Sequence, residues 1–441
     1  MMEALPLIMF AVLTVLLMIG FPVAFTLLGT SLVFGLIGFE SWDFFNLLPM
    51  RIWGTMTNQT LLAVPLFIFM GVMLERSGLA EDLLETMALL FGRMCGGLAV
   101  SVVIVGMLLG ASTGIVGATV VTMGLISLPT MLRRGYQTEL ATGVISASGT
   151  LGQIIPPSIV LVLLGDIIGV SVGDLFMGAV IPGMLLVGLY CIYIIIYSHF
   201  HKTCAPSIPD EEWAEILAAG LGKRVVKALL PPLLLMTCVL GSIFAGVASP
   251  TEAAAVGATG AVLLSIVNGR FTFKRLHETM MTTTVLTSMV FIILVGAGAF
   301  GLVFRGLGGD HVIRQYITHL AFDKWTVMFI IMTIIFVIGF FLDFIEITFI
   351  HIPVLAPIMH DFGFNPLWFA ILFAINLQTS FMTPPFGFSL FFLKGVAPPY
   401  VRTSHIYKGI IPFVLLQLFG MGLVIAFPSL ATWLPSVVFG D

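Results

Sequence analysis

The chain has 441 residues, of which 59% are hydrophobic and 9% are charged, and its formal net charge is −4. A soluble globular domain carries about 25% charged residues, so the composition excludes that class and indicates a chain surrounded by lipid. The negative net charge also argues against a nucleic-acid-binding surface.

A membrane-spanning helix needs about 20 apolar residues, and twelve apolar stretches approach or exceed this length. They lie near 5–20, 22–39, 60–75, 97–131, 138–164, 175–198, 228–247, 252–268, 279–304, 326–360, 366–393 and 406–437. The first is expected to be retained, because Glu3 stands where a signal peptide carries basic residues. The stretches 97–131 and 326–360 are interrupted, so the sequence predicts about ten full spans and two re-entrant hairpins in an all-α polytopic membrane protein.

The positions of Lys and Arg predict how the chain is oriented, because cytoplasmic loops are enriched in them. The longest polar loop, 199–227, and the cluster at 270–275 are basic and should be cytoplasmic. Counting spans from these loops makes hairpin 97–131 open to the cytoplasm and hairpin 326–360 open to the opposite side. The N-terminus is expected on that opposite side.

The chain also contains an internal repeat. Segments 127–158 and 355–386 align without a gap at a shift of 228 residues, which places Pro156-Pro157 over Pro384-Pro385. Matching helix breakers in halves of opposite predicted orientation are typical of inverted-repeat secondary transporters. A Pro-Pro within an apolar run frees backbone carbonyls, which are tolerated in a membrane only when they are buried in protein or line a cavity. The two breaks are therefore the predicted site.

Five regions follow from this pattern. They are N-terminal scaffold helices in 1–58, a first repeat in 59–198 with hairpin 97–131 and the break at Pro156-Pro157, a cytoplasmic loop in 199–227, scaffold helices in 228–278, and a second repeat in 279–437 with hairpin 326–360 and the break at Pro384-Pro385.

The run GASTGIVG, residues 110–117, divides the first hairpin segment. It is interpreted as a tight hairpin tip, because the segment around it is too long for one span. Two alternatives are a small-residue helix crossing and the serine nucleophile of an intramembrane hydrolase, with Ser112 reacting and His351 or His405 as base.

Several carboxylates lie in or near apolar segments. Asp343 and Glu346 are costly in hydrocarbon, so they either contact a cation or substrate or cap a helix at the hairpin break. Asp166 and Asp174 are expected to mark the return from the first broken helix and cap the next one. Glu252 has the spacing of a capping box with the serine three residues before it.

Several motifs in order resemble the large membrane subunit of tripartite ATP-independent periplasmic (TRAP) transporters. They are AVPLFIFMGVMLERSG (63–78), GASTGIVGATVVTMGLISLPTMLRRGY (110–136), GTLGQIIPPSIVLVLLGDIIGVSVGDLFMGAVIPG (149–183), ASPTEAAAVGA (248–258), GFFLDFIEITFIHIPVLAP (339–357) and TPPFGFSLFFLKG (383–395). Where the family commonly has Ser-Gly-Ser at the first tip, this chain reads Ser112-Thr113-Gly114-Ile115.

The resemblance implies an elevator-type transport domain in the bacterial inner membrane and coupling to sodium, with no organic cofactor. It also implies two protein partners, a small four-helix membrane subunit and a periplasmic substrate-binding protein that delivers a small carboxylate. A stand-alone sodium- or proton-coupled anion transporter and a channel or scaffold remain alternatives from the sequence.

The hydroxyl, amide and backbone oxygens around the two breaks are the candidate ligands, with one sodium expected at each break and the substrate carboxylate between them. The candidate sodium ligands are Ser112, Thr113, Ser148, Gly149, Leu151, Ile154, Pro156, Gly339, Asp343, Asn376, Thr379 and Met382. The candidate substrate contacts are Gly114, Pro157, Ser158, Thr383 and Pro385.

Overall fold

The computed structural model describes residues 4–208, 213, 221–319 and 322–440, and within these ranges the chain is helical and contains no β-strand. Much of the predicted loop 199–227 therefore lies outside the described residues. Helix already covers 221–227.

The α-helices of the described ranges are numbered in chain order. They are α1 Leu5–Ile19, α2 Val23–Phe39, α3 Leu48–Met56, α4 Ala63–Arg76, α5 Leu79–Leu90, α6 Gly97–Thr113, α7 Val116–Arg133, α8 Thr138–Thr150, α9 Ile159–Ile168, α10 Val172–Phe200, α11 Leu221–Phe244, α12 Pro250–Val267, α13 Phe273–Gly306, α14 Gly309–His319, α15 Lys324–Ile338, α16 Phe344–Asp361, α17 Pro366–Met382, α18 Phe388–Val396, α19 Thr403–Ala426 and α20 Ser429–Phe439. Short 3₁₀ turns cover Asp43–Leu47, Thr60–Leu62, Leu151–Gln153 and Lys202–Cys204.

The expectation of about ten full spans is wrong for the described residues. By length and composition, seven helices are long and apolar enough to cross a membrane, namely α7, α10, α11, α12, α13, α16 and α19, or eight spans if the bent pair 43–76 counts as one. Two of the seven, α7 and α16, are the second helices of the predicted hairpins. The difference arises because several apolar stretches are divided. Stretch 138–164 is split into α8 and α9, and 366–393 into α17 and α18. Others, such as α1 with 15 residues, are too short.

The 228-residue register extends further than the sequence comparison indicated. Shifting α7 by 228 carries Val116 onto Phe344 and Arg133 onto Asp361, which are the two ends of α16. The same shift carries α2 to 251–267, which is α12 within one residue. Helix α2, expected to lie outside both repeats, is therefore in register with α12.

Each predicted hairpin returns to the side from which it starts. At the base of the α6–α7 pair, the Gly96 N–H donates to Ala205 O at 3.0 Å and the Gln137 N–H donates to Cys204 O at 2.8 Å. One loop therefore contacts both ends of this hairpin. In the α15–α16 pair, the Trp325 ring at the start of α15 lies 5.5 Å from that of Phe364, just after α16.

Each half packs one hairpin helix against a broken helix of the other half. The second hairpin helix of the first half, α7, packs against α18 of the second half, and α16 packs against α9 of the first. A methyl group added at Gly124 of α7 would lie 2.8 Å from the Val396 side chain of α18, so the α7–α18 contact is close. Reciprocal contacts of this kind are those that a two-fold relation between the halves produces, and together with the 228-residue register they make the fold an inverted repeat.

Candidate functional site

Both predicted breaks interrupt a buried helix. Helix α8 ends at Thr150, a 3₁₀ turn covers Leu151–Gln153, and α9 begins only at Ile159, after the cis Pro156-Pro157 bond. In the second half α17 ends at Met382, and α18 begins at Phe388 after the cis Pro384-Pro385 bond. Proline supplies no N–H, so neither helix can continue its hydrogen-bond ladder through the break.

The tip of the first hairpin lies against the first break. Helix α6 ends at Thr113, and Gly114 turns the chain with φ +62°, a left-handed conformation that favours glycine. A methyl group added at Gly110 would lie 2.8 Å from the backbone nitrogen and Cα of Gly152. Two backbones meet here with no side chain between them, so the tip closes over the turn that precedes Pro156.

The second hairpin repeats this contact in its own half. A methyl group at Gly339 would overlap the Oγ of Ser380, the residue that the 228-residue shift pairs with Gly152. The hairpin then turns through residues 340–342 into α16. Both hairpins therefore contact their helix break through small residues, which allow the backbones to approach closely.

The carboxylates Asp343 and Glu346 form a capping box at the start of α16. The Phe344 N–H donates to Asp343 Oδ1 at 2.8 Å, and the Asp343 N–H donates to Glu346 Oε2 at 3.1 Å. This geometry favours the capping interpretation of the pair over a cation or substrate contact.

Of the other expected helix caps, one is confirmed and one is wrong. The capping box of Glu252 with Ser249 is confirmed at the start of α12. The expected cap by Asp174 is wrong, because Ser171 is the N-cap of α10 and its hydroxyl accepts from the Asp174 N–H. Asp166 instead accepts a hydrogen bond from the Asn58 side chain, which ties α9 to the loop before α4.

The candidate hydroxyl ligands are buried beside the breaks. Thr379 Oγ donates to Ile375 O at 2.7 Å, and Ser148 Oγ donates to Ile145 O at 3.1 Å. A hydroxyl that donates one hydrogen bond keeps lone pairs for a cation. Thr113 Oγ lies 2.8 Å from Thr119 Oγ across the hairpin tip. The side chain of Ser112 lies outside the described part of the chain.

The remaining candidates are held by contacts of their own. Asn376 Nδ2 donates to Met332 O of α15 at 2.8 Å, and the Tyr190 hydroxyl reaches Met382 Sδ at 3.9 Å.

Three of the candidate backbone carbonyls already accept hydrogen bonds. Leu151 O accepts from the Ile154 and Ile155 N–H groups, Thr383 O from the Gly387 N–H, and Pro385 O from the Tyr407 hydroxyl. Gly149 packs against Val120 and Gly114 against Ile159. Ser158 Oγ donates to Gln153 O at 2.7 Å, and Pro156 and Pro157 lie between the helices.

The structure therefore brings the candidates together as two groups, one per break, and a contact that the sequence did not predict joins the two. Gln378 Nε2 donates to Thr150 Oγ at 3.4 Å. Gln153, Thr150 and Gln378 were absent from the predicted site. A glutamine lies three residues before the first Pro-Pro, in GQIIPP, and six residues before the second, in QTSFMTPP, and this signal could have identified two of them.

Comparison with known proteins decides the family. Residues 10–430 match the model of the tripartite ATP-independent periplasmic transporter, DctM component. This chain belongs to the DctM family of TRAP transporter large permeases. It is 32% identical over 409 residues to the C4-dicarboxylate TRAP transporter large permease DctM of Vibrio cholerae, covering 87% of each chain. It is 30% identical to the ectoine TRAP transporter large permease TeaC of Halomonas elongata, covering 98% of this chain and 99% of that one.

A solved structure supports the fold of this DctM-family permease. The chain is similar to the YdaH transporter of Alcanivorax borkumensis, with a TM-score of 0.62 and 16% identity over 96% of this chain and 100% of that chain. The DctM-family chain is thus a multi-pass membrane permease that works with a substrate-binding protein, and not an enzyme. The hydrolase alternative also finds no support in His351, which lies on hairpin helix α16 and packs edge-on against Phe10 with ring centroids 5.3 Å apart.

Proposed function

We propose that this permease imports a small carboxylate across the bacterial inner membrane by symport with sodium, using an elevator movement. In this proposal the chain forms a complex with a small four-helix membrane subunit, and a periplasmic binding protein delivers the substrate. The N-terminus is periplasmic.

The observation that carries the proposal is the pair of broken helices, each covered by a hairpin tip. An unwound turn offers carbonyl oxygens, and the hydroxyls of Ser148 and Thr379 lie within one or two turns of the breaks. Hard cations such as sodium are held by oxygen ligands of this kind without a cluster of carboxylates. The C4-dicarboxylate relatives support a carboxylate as the substrate.

The packing supports a division into a moving and a static body. The hairpins and broken helices brace each other across the two-fold relation, through α7 with α18 and α16 with α9. Helices α2, α4, α12 and α13 form a second set, in which α4 packs on α12 and α13 packs on both α2 and α4, and this set touches the first through α4 with α6 and α13 with α16. One polar link between the sets is the Thr122 hydroxyl of α7, which donates to Glu75 Oε1 of α4 at 2.6 Å. We propose that the first set carries the substrate and that the second is the scaffold.

The test is uptake by the reconstituted complex. Proteoliposomes containing the permease and its small subunit should accumulate the acid only when loaded binding protein and an inward sodium gradient are both present. Uptake that needs sodium but not the binding protein would indicate the stand-alone anion transporter instead.

A further inference from the structure

The side chain of Gln153 has no hydrogen-bond partner although it is buried. The residue is 1% exposed, and neither its Nε2 nor its Oε1 has a partner within the described part of the protein. Buried polar side chains are almost always hydrogen-bonded, and a buried amide without a partner is destabilising. An apolar residue such as methionine would fill this position at lower cost, so the amide requires an explanation.

The position of Gln153 connects it to transport. It is the last residue of the 3₁₀ turn that precedes Pro156-Pro157, and the residue before it, Gly152, is the one on which the hairpin tip at Gly110 rests. The Ser158 hydroxyl fixes the backbone of Gln153 by donating to its carbonyl at 2.7 Å. A side chain next to a residue that a closed tip covers can gain a partner when the tip moves away.

A second glutamine lies at the junction of the two halves. Gln378 is 0% exposed, it donates through Nε2 to Thr150, and its Oε1 has no partner. Thr150 is three residues, or one turn, before Gln153. Two amides with unused capacity therefore lie close to the junction, between the two groups of candidate sodium ligands.

We propose that Gln153 is a substrate-binding residue whose Nε2 donates hydrogen bonds to a carboxylate of the transported acid once the tip at Gly110 separates from Gly152. The proposal rests on the proposed import of a small carboxylate. A primary amide offers two N–H donors to the acid without adding a charge. It can therefore hold a carboxylate between two sodium ions and release it when the ions leave.

Two competing roles give different results. If Gln153 bound sodium through Oε1, a carboxylate in its place would retain or strengthen cation binding. If the side chain were only a packing element, methionine would replace it without loss of uptake.

The experiment uses the complete transporter in proteoliposomes with its binding protein and five radiolabelled acids as probes: succinate, malate, fumarate, pyruvate and glutamate. The variants are Gln153→Met, Gln153→Glu and the control Gln417→Met. Gln417 is also fully buried and its Nε2 also has no partner among the described residues, but its Oε1 accepts a hydrogen bond from the Tyr190 hydroxyl at 2.7 Å. Melting of the purified complex without substrate is measured in parallel.

We expect Gln153→Met to reduce uptake by at least about tenfold, the ordinary effect of losing one hydrogen bond to a charged group. Its half-saturating sodium concentration should stay within about twofold of that of the wild type, and its melting temperature should not fall, because an unpaired amide has been removed. Gln153→Glu should abolish uptake, since two carboxylates repel each other. Gln417→Met should melt at a lower temperature, because the Tyr190 hydroxyl loses its 2.7 Å acceptor and keeps only the weak contact with Met382 Sδ at 3.9 Å.

The proposal is overturned if Gln153→Met transports like the wild type, if it melts at a lower temperature in proportion to its lost uptake, or if Gln153→Glu retains uptake with altered sodium dependence. If the wild-type transporter takes up none of the five acids in sodium, the proposed function fails first. Loss of uptake in the variants alone leaves the proposed function intact.

Discussion

Gln378 Nε2 donates a hydrogen bond to Thr150 Oγ over 3.4 Å, and the two residues are 228 positions apart, the distance that relates the two halves of the chain. Two residues that are equivalent in the repeat can touch each other only near the pseudo-two-fold axis that relates the halves. The two helix breaks therefore lie on either side of one junction, and any ligand shared between them must lie close to it.

The tip of the first hairpin should be sensitive to a single methyl group. Gly110→Ala places that group 2.8 Å from the backbone of Gly152, and overpacking of this kind costs about 1–3 kcal/mol. We expect a lower melting temperature and little uptake. Gly188→Ala is the matched control, because a methyl there has nothing within 4 Å. Equal behaviour of the two variants would show that the Gly110 contact is not close in the membrane.

Sodium dependence should test the candidate ligands Thr379, at the second break, and Ser112, in the run at the first hairpin tip. Thr379→Ala and Ser112→Ala are each expected to raise the half-saturating sodium concentration, by about tenfold if one oxygen ligand contributes about 1.4 kcal/mol. Expression and subunit assembly should be unchanged. Thr259→Ala is the control, since its hydroxyl makes the same helical bond, to Ala255 O at 2.9 Å, on an exposed face of α12. If both site variants keep the sodium dependence of the wild type, the ligand assignment is wrong.

The elevator movement should separate Glu75 from Thr122. In a background without native cysteines, Glu75→Cys with Thr122→Cys should be joined by a short thiol-reactive cross-linker, since the native side chains are 2.6 Å apart. Cross-linking should stop uptake, and a cleavable linker should restore it on reduction. The pair Arg76→Cys with Thr282→Cys joins α4 to α13 inside the proposed scaffold, where the native side chains lie 3.0 Å apart, and should leave uptake intact. Continued uptake by the cross-linked first pair would exclude the movement.

The start of α12 depends on a local hydrogen-bond pair. Ser249→Ala removes the N-cap oxygen that accepts from the Glu252 N–H, and such losses cost about 0.5–2 kcal/mol. We expect a modest fall in melting temperature with nearly normal sodium dependence. A large change in sodium dependence would show that this helix start takes part in the site.

Local signals in the sequence predicted the hairpins and breaks well. A segment too long for one span, a glycine at its centre and a Pro-Pro in an apolar run each act on the backbone where they occur, so 97–131 and 326–360 were recognisable without tertiary information. Span number was less predictable, because hydropathy does not distinguish one long helix from the α17–α18 pair. Contacts such as Gln378 with Thr150 join distant residues and are not visible in either segment alone.

The small membrane subunit should be required for activity. The N-terminal helices expose large apolar side chains, including Phe25 of α2 at 73% and Trp53 of α3 at 71%, and a partner helix or lipid must cover them. We expect the permease with its binding protein, but without the small subunit, to show only background uptake. Full activity from the single chain and binding protein would contradict the partnership.

The central claim is that the paired breaks couple import to sodium. The most direct measurement is initial uptake of the acid into proteoliposomes containing the complete transporter, with sodium replaced by potassium at fixed pH and membrane voltage and with ATP absent. We predict rapid uptake in sodium without ATP and background uptake in potassium. Uptake that persists in potassium, or that appears only when ATP is supplied, would contradict the claim.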